Sequence, residues 1–303
     1  MKAIRGKKLT SREAARALGV SEASVKRWAD SGLLPMEKTV GGHRRFRPED
    51  VAVIRRAGSN EEESLPLKNR SAAKLLARPT AEVEFAPDRE AALVEETFRA
   101  LLDGRGEDLS ALLINLHLHG QSVGTLADRF LCAAMGRVGD LWHKGELSVS
   151  QEHVATRTAT SALQKLQAVL DTSEEERMHA LCCSAEDDFH QLPSQLAALT
   201  LEAGGFEVFD MGMSTPFSAL TEALERFRPR LVCVSSTILV NLDRAAREYA
   251  EFHKTAQRRR ISIVLGGAGF KDAGVRGRLP ANLHAESYRQ LEEFIATLDV
   301  SES

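Results

Sequence analysis

The chain has 303 residues, 43% of them hydrophobic and 27% charged, the makeup of an ordinary soluble globular protein with room for two or three domains. No apolar run approaches the ~18 residues of a membrane span, and Met1-Lys2-Ala3 leads straight into charged sequence, so the expectation is a cytoplasmic protein without membrane contact. The net charge of −3 hides a split: residues 1–58 carry 14 Lys and Arg against 6 Asp and Glu, net +8, which leaves −11 for the remainder and points to a polyanion at one end only.

The basic head opens with Leu9-Thr10-Ser11, hydroxyl caps for a first helix that places Ala14, Ala15 and Leu18 at helical spacing before Gly19 ends it. Ser21 or Ser24 starts a second helix with Val25 and Trp28 inward and Lys26 and Arg27 outward. Two short helices around a glycine form a helix-turn-helix, whose second helix enters the DNA major groove, making Ser21, Glu22, Ser24, Lys26 and Arg27 candidate contacts. The following Gly41-Gly42-His43-Arg44-Arg45-Phe46-Arg47 is a glycine-tipped hairpin rich in guanidinium, which pairs bidentately with phosphate oxygens. This stretch resembles the MerR family of winged helix-turn-helix regulators over about residues 8–58. The resemblance implies a double-stranded DNA operator as partner, with His43, Arg44 and Arg45 in the wing and Arg44 and Arg45 holding the backbone. Trp28 and Phe46 are expected to fill the small core rather than read bases.

From Gly58 to Ala86 the periodicity dissolves into an acidic run, Asn60-Glu61-Glu62-Glu63-Ser64, with prolines at 66, 79 and 87, so residues 59–86 read as a linker. No sustained apolar heptad appears there, which moves oligomerisation to the C-terminal half. Residues 87–172 show helical periodicity almost throughout, with Gly120, Gly124, Gly136 and Gly139 expected to break or relax turns, and a four-helix bundle is the economical solution. Its third helix runs from Val123 to Trp142, and Ser148 or Ser150 caps the fourth, which carries Glu152 and His153 in its first turn. Taken alone, this set favours a plain structural role, with Trp142 plugging the core and Glu152 favouring the helix N-terminus.

Residues 173–303 alternate apolar strands, at 180–184, 206–209, 231–235, 261–265 and 283–285, with helices. That alternation predicts a flavodoxin-like (Rossmann-type) doubly wound parallel sheet, with ligands at the carboxyl ends of its strands. Asp188 and His190 follow the first strand, Gly212-Met213-Ser214-Thr215-Pro216 the second, Ser235-Ser236-Thr237 end the third and Gly266-Gly267 the fourth. A neutral imidazole suits a borderline transition metal, and a carboxylate on its other nitrogen fixes the tautomer, a role open to Asp188 beside His190. Of the cysteines, Cys132, Cys182, Cys183 and Cys233, none forms a CxxC pair, and three lie in apolar strand-like runs as small hydrophobes.

Within this multidomain α and α/β architecture, Asp188-x-His190, the serine-containing strand end and Gly266-Gly267 resemble the cobalamin-binding domain. Trp142, nine residues, then Glu152-His153 resembles the light-sensing regulators of the CarH type, in the same domain order over about residues 8–298. The resemblance implies adenosylcobalamin as cofactor, a cobalt corrinoid with His190 as its lower axial ligand. It further implies Trp142 and Glu152 capping the adenosyl group, His153 near the upper face, and Ser235, Ser236, Thr237, Gly266 and Gly267 around the nucleotide tail. A non-enzymatic repressor follows, working as a homo-oligomer, dimer or tetramer. The departure is Pro193, which stands where the family has glycine; proline is tolerated in a helix first turn but removes an N–H and adds bulk. One alternative stays open, a cobalamin-independent repressor or one sensing another ligand such as a different tetrapyrrole; a methyl-carrying corrinoid protein is not expected behind a DNA-binding head.

Overall fold

The computed structural model describes residues 8–18, 22–30, 34–39, 42–48, 50–51, 86–170 and 177–298. The expected linker lies outside the described residues except for Ala86, as does Ser21.

The head is built from α1 (Ser11–Leu18), α2 (Glu22–Asp30) and an antiparallel hairpin of β1 (Met36–Lys38) and β2 (Arg44–Phe46). Gly42, at φ +77°, makes the hairpin turn, and Leu9 exchanges backbone hydrogen bonds with Phe46. Val25, Trp28 and Phe46 are buried, so both aromatics fill the small core as the sequence predicts.

The bundle consists of α3 (Pro87–Leu102), α4 (Gly106–Leu118), a long third helix and α7 (Val149–Gln167). The third helix comprises α5 (Val123–Leu126), one wide π turn (Ala127–Leu131) and α6 (Cys132–His143). Leu109, Leu112, Leu113, Phe130, Leu163 and Leu166 are buried at its centre, each contributing roughly 1.5–3 kcal/mol of transfer free energy. Ser148 is the α7 cap, in a capping box with Gln151. Gly136 and Gly139 sit inside α6, within the helix expected from Val123 to Trp142, where the i→i+4 bonds of their neighbours carry the chain through.

The third layer is a five-stranded parallel sheet in the order β4 (Phe206–Thr215), β3 (Met178–Ala185), β5 (Leu231–Ser235), β6 (Ser262–Gly266), β7 (Leu283–Ala285). This is the flavodoxin-like order, with the topological switch point between β3 and β5. Helices α8 (Gln191–Ala203), α9 (Phe217–Phe227), α10 (Leu242–Arg258), α11 (Ala273–Arg278) and α12 (Tyr288–Ile295) alternate with the strands. The three central strands are buried on both faces and read as continuous apolar runs. Strand β4 extends past its expected end at residue 209: as the edge strand with a half-exposed face, it accepts the polar segment 210–215. Cys182, Cys183 and Cys233 are buried in the sheet, and all four cysteines are free. Among the described residues no helix is long and apolar enough to cross a membrane.

Bundle and sheet are joined by two helix caps that run in opposite directions. Asp128, on the π turn, accepts from the backbone N–H groups of Tyr288 (3.0 Å) and Arg289 (2.9 Å) at the start of α12. Glu292 of α12 accepts in return from the Gly124 N–H (2.6 Å) and the Ser122 hydroxyl (2.7 Å) at the start of α5. Both carboxylates meet otherwise unpaired amides at the positive end of a helix. The approach requires Gly124, since a Cβ there would stand 2.6 Å from the Glu292 carboxyl carbon.

Candidate functional site

A cavity of about 650 Å3 opens between α6, the first turns of α7 and the carboxyl end of β3. The bundle side presents Trp142, Glu152 and His153, and the sheet side presents His190, so the structure brings these four expected residues around one space. Trp142 is 41% exposed, which rules out the core-plug alternative.

His190 immediately precedes α8 and is held by Asp188 through two hydrogen bonds to Oδ1, from its backbone N–H (2.9 Å) and its ring Nδ1 (2.7 Å). The second carboxylate oxygen of Asp188 accepts from the Thr237 N–H across the switch point. Asp188 itself is buried, 1% exposed, and stands behind the imidazole rather than on the cavity wall. In the neutral ring, with Nδ1 as the donor to Asp188, Nε2 is the nitrogen able to ligate a metal. The supporting loops are strained to reach this arrangement: Asp187 (φ +62°) and Ser214 (φ +51°) both adopt the left-handed region, and the Asp187 N–H donates to the Ser214 hydroxyl.

On the bundle side the wall is a helical face. Cys132, Met135, Gly136, Gly139, Trp142 and His143 recur at i, i+3, i+4 spacing along α6. A Cβ at Gly136 or Gly139 would meet nothing within 4 Å, so these glycines widen the cavity. The Glu152 carboxylate is positioned from one turn along α7 by the Thr156 hydroxyl, which donates to Oε1 at 2.7 Å. Burial pushes the Cys132 thiol up to about 12, so it lines the wall as a neutral group. Reading the sequence missed Cys132, Gly136, Gly139 and His143 as wall residues, although the α6 spacing carried the signal, whereas Met213 lies in the segment expected at the second strand's carboxyl end.

A second cavity of about 270 Å3 runs beside the sheet and is lined by Ser235, Thr237, Gly266 and Gly267, as expected. Ser236 does not line it: its side chain is fully buried beneath Gly267 and Gly269, and its hydroxyl has no partner. Gly267 (φ +99°) lies so close over the strand end that a Cβ would stand 2.4 Å from the Ser236 carbonyl oxygen. Pro193 falls in the first turn of α8 as anticipated, where its missing N–H has no intrahelical role. Pro193, Cys132, Thr237 and Tyr288 border both cavities.

These features fit a large, flat, tailed ligand: a wide cavity with a free imidazole nitrogen on one wall and an exposed indole on the other, and a narrow slot floored by glycine.

In the head, Lys26, His43, Arg44 and Arg45 converge with Arg12 on one shallow hollow. Arg44 is already engaged, donating through Nη2 to both carboxylate oxygens of Asp30 at 2.6 Å, which ties the hairpin to α2. Lys26 lies 3.1 Å from Glu22, whose carboxyl is held below its usual range, first by its hydrogen bond to Lys26. Ser24 and Arg27 lie on α2.

Three family models match. A helix-turn-helix domain covers residues 9–57, and B12 binding domains cover residues 93–167 and 178–276. The chain is 26% identical over 263 residues to the HTH-type transcriptional repressor CarH of Myxococcus xanthus, covering 84% of each chain. It is 24% identical over 160 residues to dimethylamine corrinoid protein 1 of Methanosarcina mazei, covering 52% of this chain and 73% of that one. The monomethylamine corrinoid protein of Methanosarcina barkeri superposes with a TM-score of 0.58 at 17% identity, over 69% of this chain and all of that one, a likeness of fold. The chain thus joins a helix-turn-helix domain to two B12-binding domains, and over most of its length it is CarH-like.

Proposed function

We propose that this chain is a MerR-type transcriptional repressor of the cytoplasm, whose oligomerisation and operator binding are controlled by adenosylcobalamin and light. The observation that carries the reading is the single cavity that has His190, backed by Asp188, on one wall and Trp142, Glu152 and His153 on the other. His190 Nε2 would hold the cobalt, and Asp188 would raise its basicity by accepting a hydrogen bond from Nδ1–H. Trp142, Glu152 and His153 would face the adenosyl group, while Ser235, Thr237, Gly266 and Gly267 would hold the nucleotide tail. Adenosylcobalamin, when bound, supplies a cobalt–carbon bond that light cleaves. Trp142, exposed on the cavity wall, would pack on the bound group and so hold the bundle in the position that favours the dimer or tetramer; without that packing the bundle would be released and the oligomer would separate. Operator affinity then falls because the linked heads no longer bind together. Lys26, His43, Arg44 and Arg45 meet the DNA, with Ser21, Ser24 and Arg27 assigned beside them from the helix pattern.

The test loads the chain with adenosylcobalamin, records the absorption spectrum for the wild type and His190→Ala, and measures size by gel filtration before and after green light. A bound spectrum altered by His190→Ala, with a larger species in the dark, is expected. An unchanged elution volume after illumination overturns the light switch. Pro193, between the two cavities, favours a second reading, a repressor that binds its operator without cobalamin or with another tetrapyrrole. Operator binding by a chain that takes up no adenosylcobalamin would support it. Methyl transfer from a methylated corrinoid would instead make the chain a carrier.

A further inference from the structure

The two cavities meet at four residues, Cys132, Pro193, Thr237 and Tyr288, and two of these are bonded to each other. The Tyr288 hydroxyl donates to the Pro193 carbonyl oxygen at 3.1 Å. Burial holds the phenol well above its usual range, so it stays protonated and able to donate. The tyrosine is also held from its backbone, where its N–H is bound by Asp128 of the bundle. Its ring is therefore pinned between α8 at the hydroxyl and the π turn at the main chain. Proline stiffens the arrangement from the other side: Pro193 lines both cavities, and its ring fixes its own φ.

We infer that Tyr288 and Pro193 form a clasp across the passage between the two cavities, and that this clasp sets which corrinoids the chain accepts. A corrinoid with a nucleotide tail must part the clasp to reach the slot beside Ser235 and Gly267, whereas one without a tail occupies the larger cavity and leaves the clasp closed. Tyr288 is in this sense a specificity-determining residue of a site whose ligand class rests on the function proposed above.

The test compares equilibrium binding of adenosylcobalamin with that of adenosylcobinamide, which has the same macrocycle and adenosyl group but no nucleotide tail, followed by absorbance. Wild type, Tyr288→Phe and Pro193→Gly are measured. Tyr288→Phe keeps the ring and its packing and removes only the hydrogen bond, so it isolates the clasp from the fold. The preference for adenosylcobalamin over adenosylcobinamide should rise roughly two- to tenfold in Tyr288→Phe, the worth of one neutral hydrogen bond, and should rise in Pro193→Gly as well. A wild type that binds only the tailless corrinoid, with tailed binding regained in the variants, supports the clasp most strongly. A ratio that stays constant or falls in Tyr288→Phe overturns the clasp and leaves the corrinoid reading intact, because both ligands still bind. Failure of all three proteins to bind either corrinoid removes the corrinoid reading and the clasp with it.

Discussion

Asp188 Oδ1 accepts from both the main chain and the ring of His190, so one buried oxygen sets the position and the tautomer of the imidazole together. Asp188→Asn removes the charge and leaves one oxygen for donors on both sides, so its NH2 must face either the Thr237 N–H or the His190 donors. Corrinoid affinity should fall about 10–100-fold, as expected for a ligand-orienting partner, while His190→Ala changes the bound absorption spectrum itself. An absorbance titration separates the two effects.

Gly124 and Gly136 lie on the same helical stretch and should respond oppositely to a side chain. Gly124→Ala drives a Cβ to 2.6 Å from the Glu292 carboxyl carbon and breaks the charged cap there, at a cost of about 1.5–3 kcal/mol set against up to about 1 kcal/mol of helix propensity regained. The Cβ of Gly136→Leu meets nothing within 4 Å and its side chain enters the cavity, so the substitution should leave thermal stability unchanged or higher, yet abolish corrinoid binding. Thermal melts alongside ligand titrations check both.

His117, at the end of α4, is held below the usual imidazole range, first by burial, with its Nδ1 facing the Gln121 carbonyl at 3.1 Å. As the pH drops below about 6.5, the unfolded chain takes up a proton that the native bundle resists. Its stabilising contribution is therefore present above that pH and is lost as pH falls through the folded value. Urea midpoints between pH 7.5 and 5 should decline less steeply in His117→Gln than in the wild type.

In the head, Arg45→Ala and Lys26→Ala should each lower the slope of log affinity against log salt for duplex DNA by about 1, the signature of one lost phosphate contact. Arg44→Ala should also lower the stability of the head, because it removes the bidentate pair with Asp30. Trp28→Ala should unfold the head by about 3–5 kcal/mol of lost packing rather than alter base preference. Anisotropy titrations over a salt series, with melts of the same proteins, distinguish these cases.

The sheet was legible because its central strands are buried on both faces and so appear as unbroken apolar runs; strand 231–235 matches to the residue. Strand β4 was legible only in part, since its carboxyl half is polar and half-exposed and lacks that signature. The His190 arrangement could be read because Asp188 is two residues away, within reach of a local pattern. The partners of Asp128 and Glu292 are separated from them by more than 150 positions, and no local periodicity records a cap made by another domain. The place of Gly136 and Gly139 on the cavity wall was hidden for a related reason: a glycine that leaves room for a ligand has the same local sequence as one that merely relaxes a helix.

The opposed caps sit near one end of the third helix and Trp142 near the other, which makes that helix a lever with its fulcrum at Asp128. About 21 Å of rise separates the two residues, so a tilt of only about 10° around the fulcrum carries the indole roughly 4 Å. Such a swing spares the hydrogen bonds at the pivot while displacing the far wall of the cavity by about the thickness of an aromatic ring.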